Sequence, residues 1–278
     1  MRRATGARVH AEDVTLGTRE GTVYSGVGFT ARPGTLTVFQ ADSGGGRSAL
    51  LLTLTGRMKP SSGTLHVDGF SLPRQARRAR RISALGLMEG VNDLDDRLRV
   101  REHLAEGLLL RMRPAARGTT DEAMAAAGLG DLDRSTLVKE LPMLERRRFG
   151  TALALVNEPR LLAVDDVDAG LCREHQADMW RTLRDLTAAG LTVIATCADP
   201  TALVDGPDAL DRDVQGPFPI RRESDDSDAD DSPADTADTA DTAAPDGARR
   251  GRHAAPDSIA LDDLLHHRDE GNPTSGQA

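Results

Sequence analysis

Thr35-Leu36-Thr37-Val38-Phe39-Gln40-Ala41-Asp42-Ser43-Gly44-Gly45-Gly46-Arg47-Ser48-Ala49-Leu50-Leu51-Leu52 is the stretch that decides the fold. Thr35 to Gln40 is mostly β-branched and apolar and has the length of a buried strand, while the Leu-rich run from Ser48 to Arg57 has the length of a helix. Three consecutive glycines lie between them. A glycine-rich turn in that position lets successive backbone N–H groups point into one concavity, to which the helix N-terminus adds partial positive charge. The spacing follows the phosphate-cradling pattern G-x-x-x-x-G-K-[ST], with Ala41 at the first glycine and Arg47 at the lysine. Arginine keeps the charge but carries it on a planar, bulkier fork. Gly44, Gly45, Gly46 and Arg47 are therefore candidate phosphate ligands, and Ser48 is a candidate Mg²⁺ ligand. Taken alone, the same glycines also describe a flexible turn capping a helix.

The neighbouring sequence favours the phosphate loop. From Ala7 to about Val214, short apolar runs alternate with longer helix-like ones, as in an α/β domain. Thr64 to Val67 before Asp68-Gly69 has the form of a hairpin edge, and Leu161 to Val164 and Leu191 to Thr196 have the form of central parallel strands. Val100 to Met112, Asp121 to Ala127 and a basic stretch from Leu144 to Val156 are expected to be helical. Ser48 to Gly69 resembles the segment that follows the phosphate loop in ATP-binding-cassette (ABC) ATPases, with Gly56, Pro60, Ser62, Gly63, Asp68 and Gly69 at the family's spacing. The resemblance runs in order from Val14 to Asp199. It implies an α/β phosphate-loop core of ABC type with an antiparallel β lobe near the N-terminus and a helical subdomain over about 92–141, all within an ABC-type domain at 1–215.

The resemblance also places the family's functional positions. Asn157 to Asp166 resembles the Walker B strand, which makes Asp165 a Mg²⁺ ligand and puts Asp166 where active members carry the general-base Glu. Asp is one methylene shorter, and general-base action needs hydrogen-bond reach. The signature LSGGQ falls on Leu141-Pro142-Met143-Leu144-Glu145; Pro142 has neither hydroxyl nor N–H, and Met143 and Leu144 place bulk where backbone should approach phosphate. Gly90 stands for the Q-loop Gln, Ala198 for the switch His, and Cys172 for the Asp of the loop after Walker B. The adenine-stacking aromatic falls near Thr18, with Tyr24 the nearest ring. The positions that build the domain match the family. Those that grip the γ-phosphate, the water and adenine mostly do not.

Composition bounds the rest. Net charge is −9, yet Glu223 to Gly247 holds ten acids and no base, which leaves 34 acids against all 35 Lys and Arg elsewhere. The acidity is a local property and says nothing of the remaining chain's partners. The segment 216–257, rich in Asp, Ala, Ser and Thr, cannot bury enough apolar surface to order itself and is expected to be a disordered linker. Ile259, Leu261, Leu264 and Leu265 form an apolar stripe within 258–268, a short amphipathic docking helix or a solvated tail; 269–278 is expected to be disordered. Cys172 and Cys197 have no metal-ligand spacing, and the N-terminus has no signal-peptide pattern, which points to a reduced, cytoplasmic protein; the family resemblance implies a peripheral place at the inner face of the membrane. No apolar run reaches the length of a membrane span. The arginines at 74–81 and 146–148 lack interleaved aromatics and are expected to be solvated faces rather than nucleic-acid surfaces.

Two functions are therefore expected as alternatives. The first is an ABC-type ATP-binding subunit, holding ATP with Mg²⁺, working as a homo- or heterodimer with separate membrane-spanning subunits, with weak or no hydrolysis. The second is a non-enzymatic pseudo-ATPase scaffold or regulatory protein.

Overall fold

The computed structural model describes residues 5–110, 118–204 and 213–221. Along the chain come β1 (Val9–Thr18), β2 (Gly21–Ala31), β3 (Leu36–Gln40), α1 (Arg47–Leu54), β4 (Ser62–Val67), β5 (Phe70–Leu72), α2 (Ala76–Ile82), β6 (Ser83–Leu85), α3 (Val100–Leu110), α4 (Thr119–Ala126), α5 (Met143–Leu155), β7 (Leu161–Val164), α6 (Arg173–Ala188), β8 (Thr192–Cys197), α7 (Thr201–Val204) and β9 (Val214–Pro219). The strands form two sheets. One is antiparallel in the order β2-β1-β4-β5; the other has the order β6-β7-β8-β3-β9, with every neighbouring pair parallel.

The difference between the sheets is written in the side chains. All four residues of β7 and all six of β8 are buried, as expected of parallel strands covered on both faces by helices, whereas β1 and β2 mix buried and exposed positions. Helix α6 packs Met179, Trp180, Leu183 and Leu186 inward, and just past its end Gly190, at a φ of +96, lets the Leu191 N–H turn back to the Leu186 carbonyl. The α/β architecture of an ABC-type phosphate-loop core, with its antiparallel sheet and helices, is the one expected from the sequence.

Arg160, just before β7, ties the two sheets together. Its guanidinium makes a two-pronged ion pair with Asp68 in the β4–β5 turn, while Nε donates to the Thr5 carbonyl at 2.7 Å. Its backbone carbonyl accepts from the N–H of Ala7 and Thr192.

Three sequence expectations change. The chain is still in the parallel sheet at Val214–Pro219 and bridges Ser25 with Arg221, so residues 216–221 are not the linker expected there; the rest of the expected linker, the 258–268 helix and the tail lie outside the described residues. Arg146 and Arg148 do not form a solvated face: Arg146 pairs with Asp96 at 2.5 Å, and Arg148 donates to Thr182 and to the Asp178 carbonyl. Leu144 is 7 % exposed and belongs to the core, so its bulk points inward; only Pro142 and Met143, the latter 47 % exposed, present themselves at the start of α5. Among the described residues no helix is long and apolar enough to cross a membrane.

Candidate functional site

Because β3, β7 and β8 are adjacent and parallel, their C-terminal ends fall on one edge of the sheet, and the loops that leave them converge. The loop after β3 is 41–46. Gly44 and Gly46 take φ of +74 and +80, and the turn is closed by the Gly45 N–H donating to the Asp42 carbonyl at 2.9 Å. There is no room for side chains: a Cβ on Gly45 would sit 2.5 Å from the Ala41 Cβ, and one on Gly46 would sit 2.7 Å from the Val23 carbonyl oxygen. Gly46 then opens α1, and no side chain caps that helix. An uncapped helix start within a glycine turn leaves N–H groups for an anion.

Ser48, in the first turn of α1, donates its hydroxyl to one carboxylate oxygen of Asp165; the other oxygen accepts from Thr196 Oγ1 at 2.5 Å. Thr196 Oγ1 in turn accepts the Asp166 N–H at 3.0 Å. A hydroxyl and a carboxylate in direct contact are the hard oxygen donors Mg²⁺ requires, so the residues present fit that ion.

Arg47 is placed differently from a phosphate-bound cation. Its Nη1 donates to the Ala41 carbonyl at 2.9 Å, and Nε lies 3.0 Å from Asp166 Oδ1; the Arg47 side chain is only 11 % exposed. The pair is ionic without being aligned as a hydrogen bond, for Asp166 Oδ1 is buried with no hydrogen-bond donor. Burial, followed by the negative charge of Asp165, pushes the Asp166 carboxyl up to about 6, and Arg47 opposes the shift. Asp166 also sits at φ of +46, a left-handed backbone that Asp tolerates better than most residues. The cation Arg147 stands within electrostatic reach of Asp166, Asp168, Asp165 and Glu89; burial lowers its pKa, and its Nε has no hydrogen-bond partner.

All the sequence-predicted site residues, Gly44, Gly45, Gly46, Arg47, Ser48, Asp165 and Asp166, are thus brought to one edge. Two participants were missed. Asp168 is buried and accepts the N–H groups of Ala198, at 3.0 Å, and Asp199, at 2.8 Å, fixing the backbone where the switch His would stand. Thr196 links Asp165 to Asp166; its signal was available, since a Thr inside an apolar central strand needs a buried partner. The signature region starts α5 with Pro142, which supplies no side-chain cap, and Met143 lies 3.6 Å from where a Cβ on Gly170 would project. Gly90 is exposed in a loop closed on itself by Asn92, which accepts from the Met88 N–H and donates to the Gly86 carbonyl. Tyr24 is fully buried, its hydroxyl donating to Thr53 at 2.7 Å.

Comparison with known proteins gives the same picture. The family model for ABC transporters matches residues 24–169. The chain is 31% identical over 192 residues to a Nod factor export ATP-binding protein I of Paraburkholderia xenovorans, covering 68% of this chain and 62% of that one. It is 29% identical over 170 residues to ribose import ATP-binding protein RbsA 1 of Rhizobium johnstonii, covering 59% of this chain and 33% of that protein. This chain therefore spans less than two thirds of those relatives' lengths. Among solved structures, cbiO1 from Clostridium perfringens superposes with a TM-score of 0.62 at 22% identity, covering 70% of this chain and 80% of that one. A bacterial Atm1-family ABC exporter with ATP bound gives 0.61 at 20% identity, covering 82% and 41%. With the family model matched over more than half of its length and the phosphate loop, Walker B carboxylates and switch strand on one sheet edge, this chain belongs to the ATP-binding-cassette family.

Proposed function

We propose that the chain is the ATP-binding subunit of an ABC-type assembly, that it holds Mg-nucleotide weakly, and that it hydrolyses it slowly or not at all. One observation carries this reading: a phosphate loop built to shape, with Ser48 and Asp165 in contact, has its cation turned onto Asp166. A nucleotide would be held by the N–H groups of Gly44, Gly45 and Gly46 and by Arg47, and Mg²⁺ by Ser48 and Asp165. The metal would supply charge neutralisation on the phosphates. To meet a phosphate, Arg47 must relax its hold on Asp166, and the exchange of one anion for another makes net binding weak. Asp166, half-buried, shorter than Glu and paired with Arg47, is poorly placed to activate water.

Separate membrane-spanning subunits are the proposed partners, the chain lying peripherally at the cytoplasmic face. The cbiO1 relative is described as part of the ABC transporter complex cbiONQ. A cavity of about 1100 Å³ beside α2 and α5, with Leu87, Val91, Leu94 and Leu153 in its lining and Arg80 and Arg81 in its wall, suits a partner's short helix. A homo- or heterodimer, as in the family, belongs to the same proposal.

Calorimetric titration of the full chain with Mg-ATP tests the reading. The expected Kd is between about 10 μM and 1 mM, lost in Arg47→Ala, with turnover at least 100-fold below the ~10 s⁻¹ typical of enzymes. Binding that Arg47→Ala leaves unchanged, or no binding at all, would favour the scaffold reading, which the neutralised Arg47 also supports.

A further inference from the structure

We infer that the site selects its ligand by phosphate groups and is indifferent to the base. The inference rests on the nucleotide-binding reading above. Recognition of a base's flat face is done mainly by aromatic rings, and one stack changes affinity by roughly tenfold or more. The chain has five Phe, one Tyr and one Trp, all within the described residues, and each is committed elsewhere. Phe29 and Phe218 pack on Phe39, at 4.9 and 5.7 Å between ring centroids; Phe149 is buried against His103; Trp180 is buried on α6; and Phe70, on the antiparallel strand farthest from β2 in its sheet, lies under the Arg78 guanidinium. Tyr24, on β2 beside the loop, has no exposed surface.

The position near Thr18 that the family resemblance gives to the adenine-stacking residue supports the same conclusion. Gly46 abuts the Val23 carbonyl, and from Val23 the strand runs back ~10 Å to the β1–β2 turn, about the reach of a nucleoside from its phosphates. That turn offers Thr18, Arg19 and Glu20. The Thr18 hydroxyl is already used, donating to the Gly21 carbonyl and accepting from the Glu20 N–H, so it is not free to read a base edge. Arg19 and Glu20 are exposed and bring no ring; the Arg19 guanidinium could stack on a base, but on any base alike. The loop, by contrast, is shaped to the ångström around its glycines. The ligand class that fits is a polyphosphate anion with Mg²⁺, whichever nucleoside it carries.

Titration of the full chain with ATP, GTP and inorganic tripolyphosphate, each in excess Mg²⁺, tests this. The expected result is that the Kd values for ATP and GTP lie within tenfold of each other and that tripolyphosphate binds as well. ATP binding tenfold or more tighter than GTP, or tripolyphosphate failing to bind while both nucleotides do, overturns base indifference and leaves the nucleotide-binding reading standing. Binding of none of the three at millimolar concentration removes that reading, and this inference with it.

Discussion

Arg47 Nε lies 3.0 Å from Asp166 Oδ1, so the cation of the phosphate loop and the acid at the family's general-base position neutralise each other. The loop's shape is preserved while the two charges that would act on a nucleotide act on one another. This pairing separates the chain's architecture from its chemistry, and its consequences can be measured.

The first concerns pH. The folded-state Asp166 carboxyl sits at about 6, above its ordinary value of 3.8, because burial and Asp165 disfavour its charge. A raised carboxyl stabilises the fold below about pH 4 and loses that contribution as pH rises through 6. Asp166→Asn cannot titrate, so its stability relative to wild type should improve from pH 4 to pH 7.5. With a side chain 36 % exposed, solvent screening reduces the effect to ~1 kcal/mol. Urea midpoints at the two pH values check it; a difference that stays constant or reverses would remove Asp166 as the titrating group.

The glycine turn gives a second prediction. Gly46→Ala must hold a side chain at φ +80 with its Cβ 2.7 Å from the Val23 carbonyl oxygen. The strain and the displaced strand should lower stability by ~2 kcal/mol, and Mg-ATP binding should be lost with the loop's shape. Thermal unfolding and calorimetry report the two effects separately.

The Tyr24 hydroxyl donates to Thr53, whose own hydroxyl donates to the Ala49 carbonyl inside α1. Tyr24→Phe removes one buried hydrogen bond and leaves the Thr53 oxygen without its donor, at a cost of about 1 kcal/mol, or ~2–4 °C in Tm. Nucleotide affinity should not change, since the ring faces the interior. A matched loss of affinity would show that Tyr24 serves the ligand after all.

Restoring the replaced side chains should not restore turnover. In the triple variant Arg47→Lys, Asp166→Glu, Ala198→His, Pro142 still has no N–H and Met143 still projects at the start of α5, and Asp168 still grips the backbone of 198 and 199. Phosphate release is expected to stay at background. Measurable turnover would mean that the α5 start matters less than its residues suggest.

The parallel strands were legible because full burial imposes unbroken apolar runs: Leu161–Val164 was marked out by its composition alone. The loop was legible because three glycines between a strand and a helix have few structural uses. The direction of Leu144 was misjudged because family position says which residue stands at a site and not which way it faces. Leu144, Thr151 and Leu155 lie on one helical face, and that periodicity predicts an inward Leu. Arg146 and Arg148 were misread for another reason: their partners, Asp96, Thr182 and Asp178, are supplied by the fold from remote sequence. The Arg47–Asp166 pair was hidden in the same way, since no local pattern links the two loops.

The Arg160 clamp has a mechanical consequence. The Arg160 side chain grips the β4–β5 turn and the N-terminal segment, and its backbone leads into β7, the strand that Asp165 follows. The antiparallel sheet is therefore coupled to the carboxylate that contacts Ser48 through a single short strand, β7.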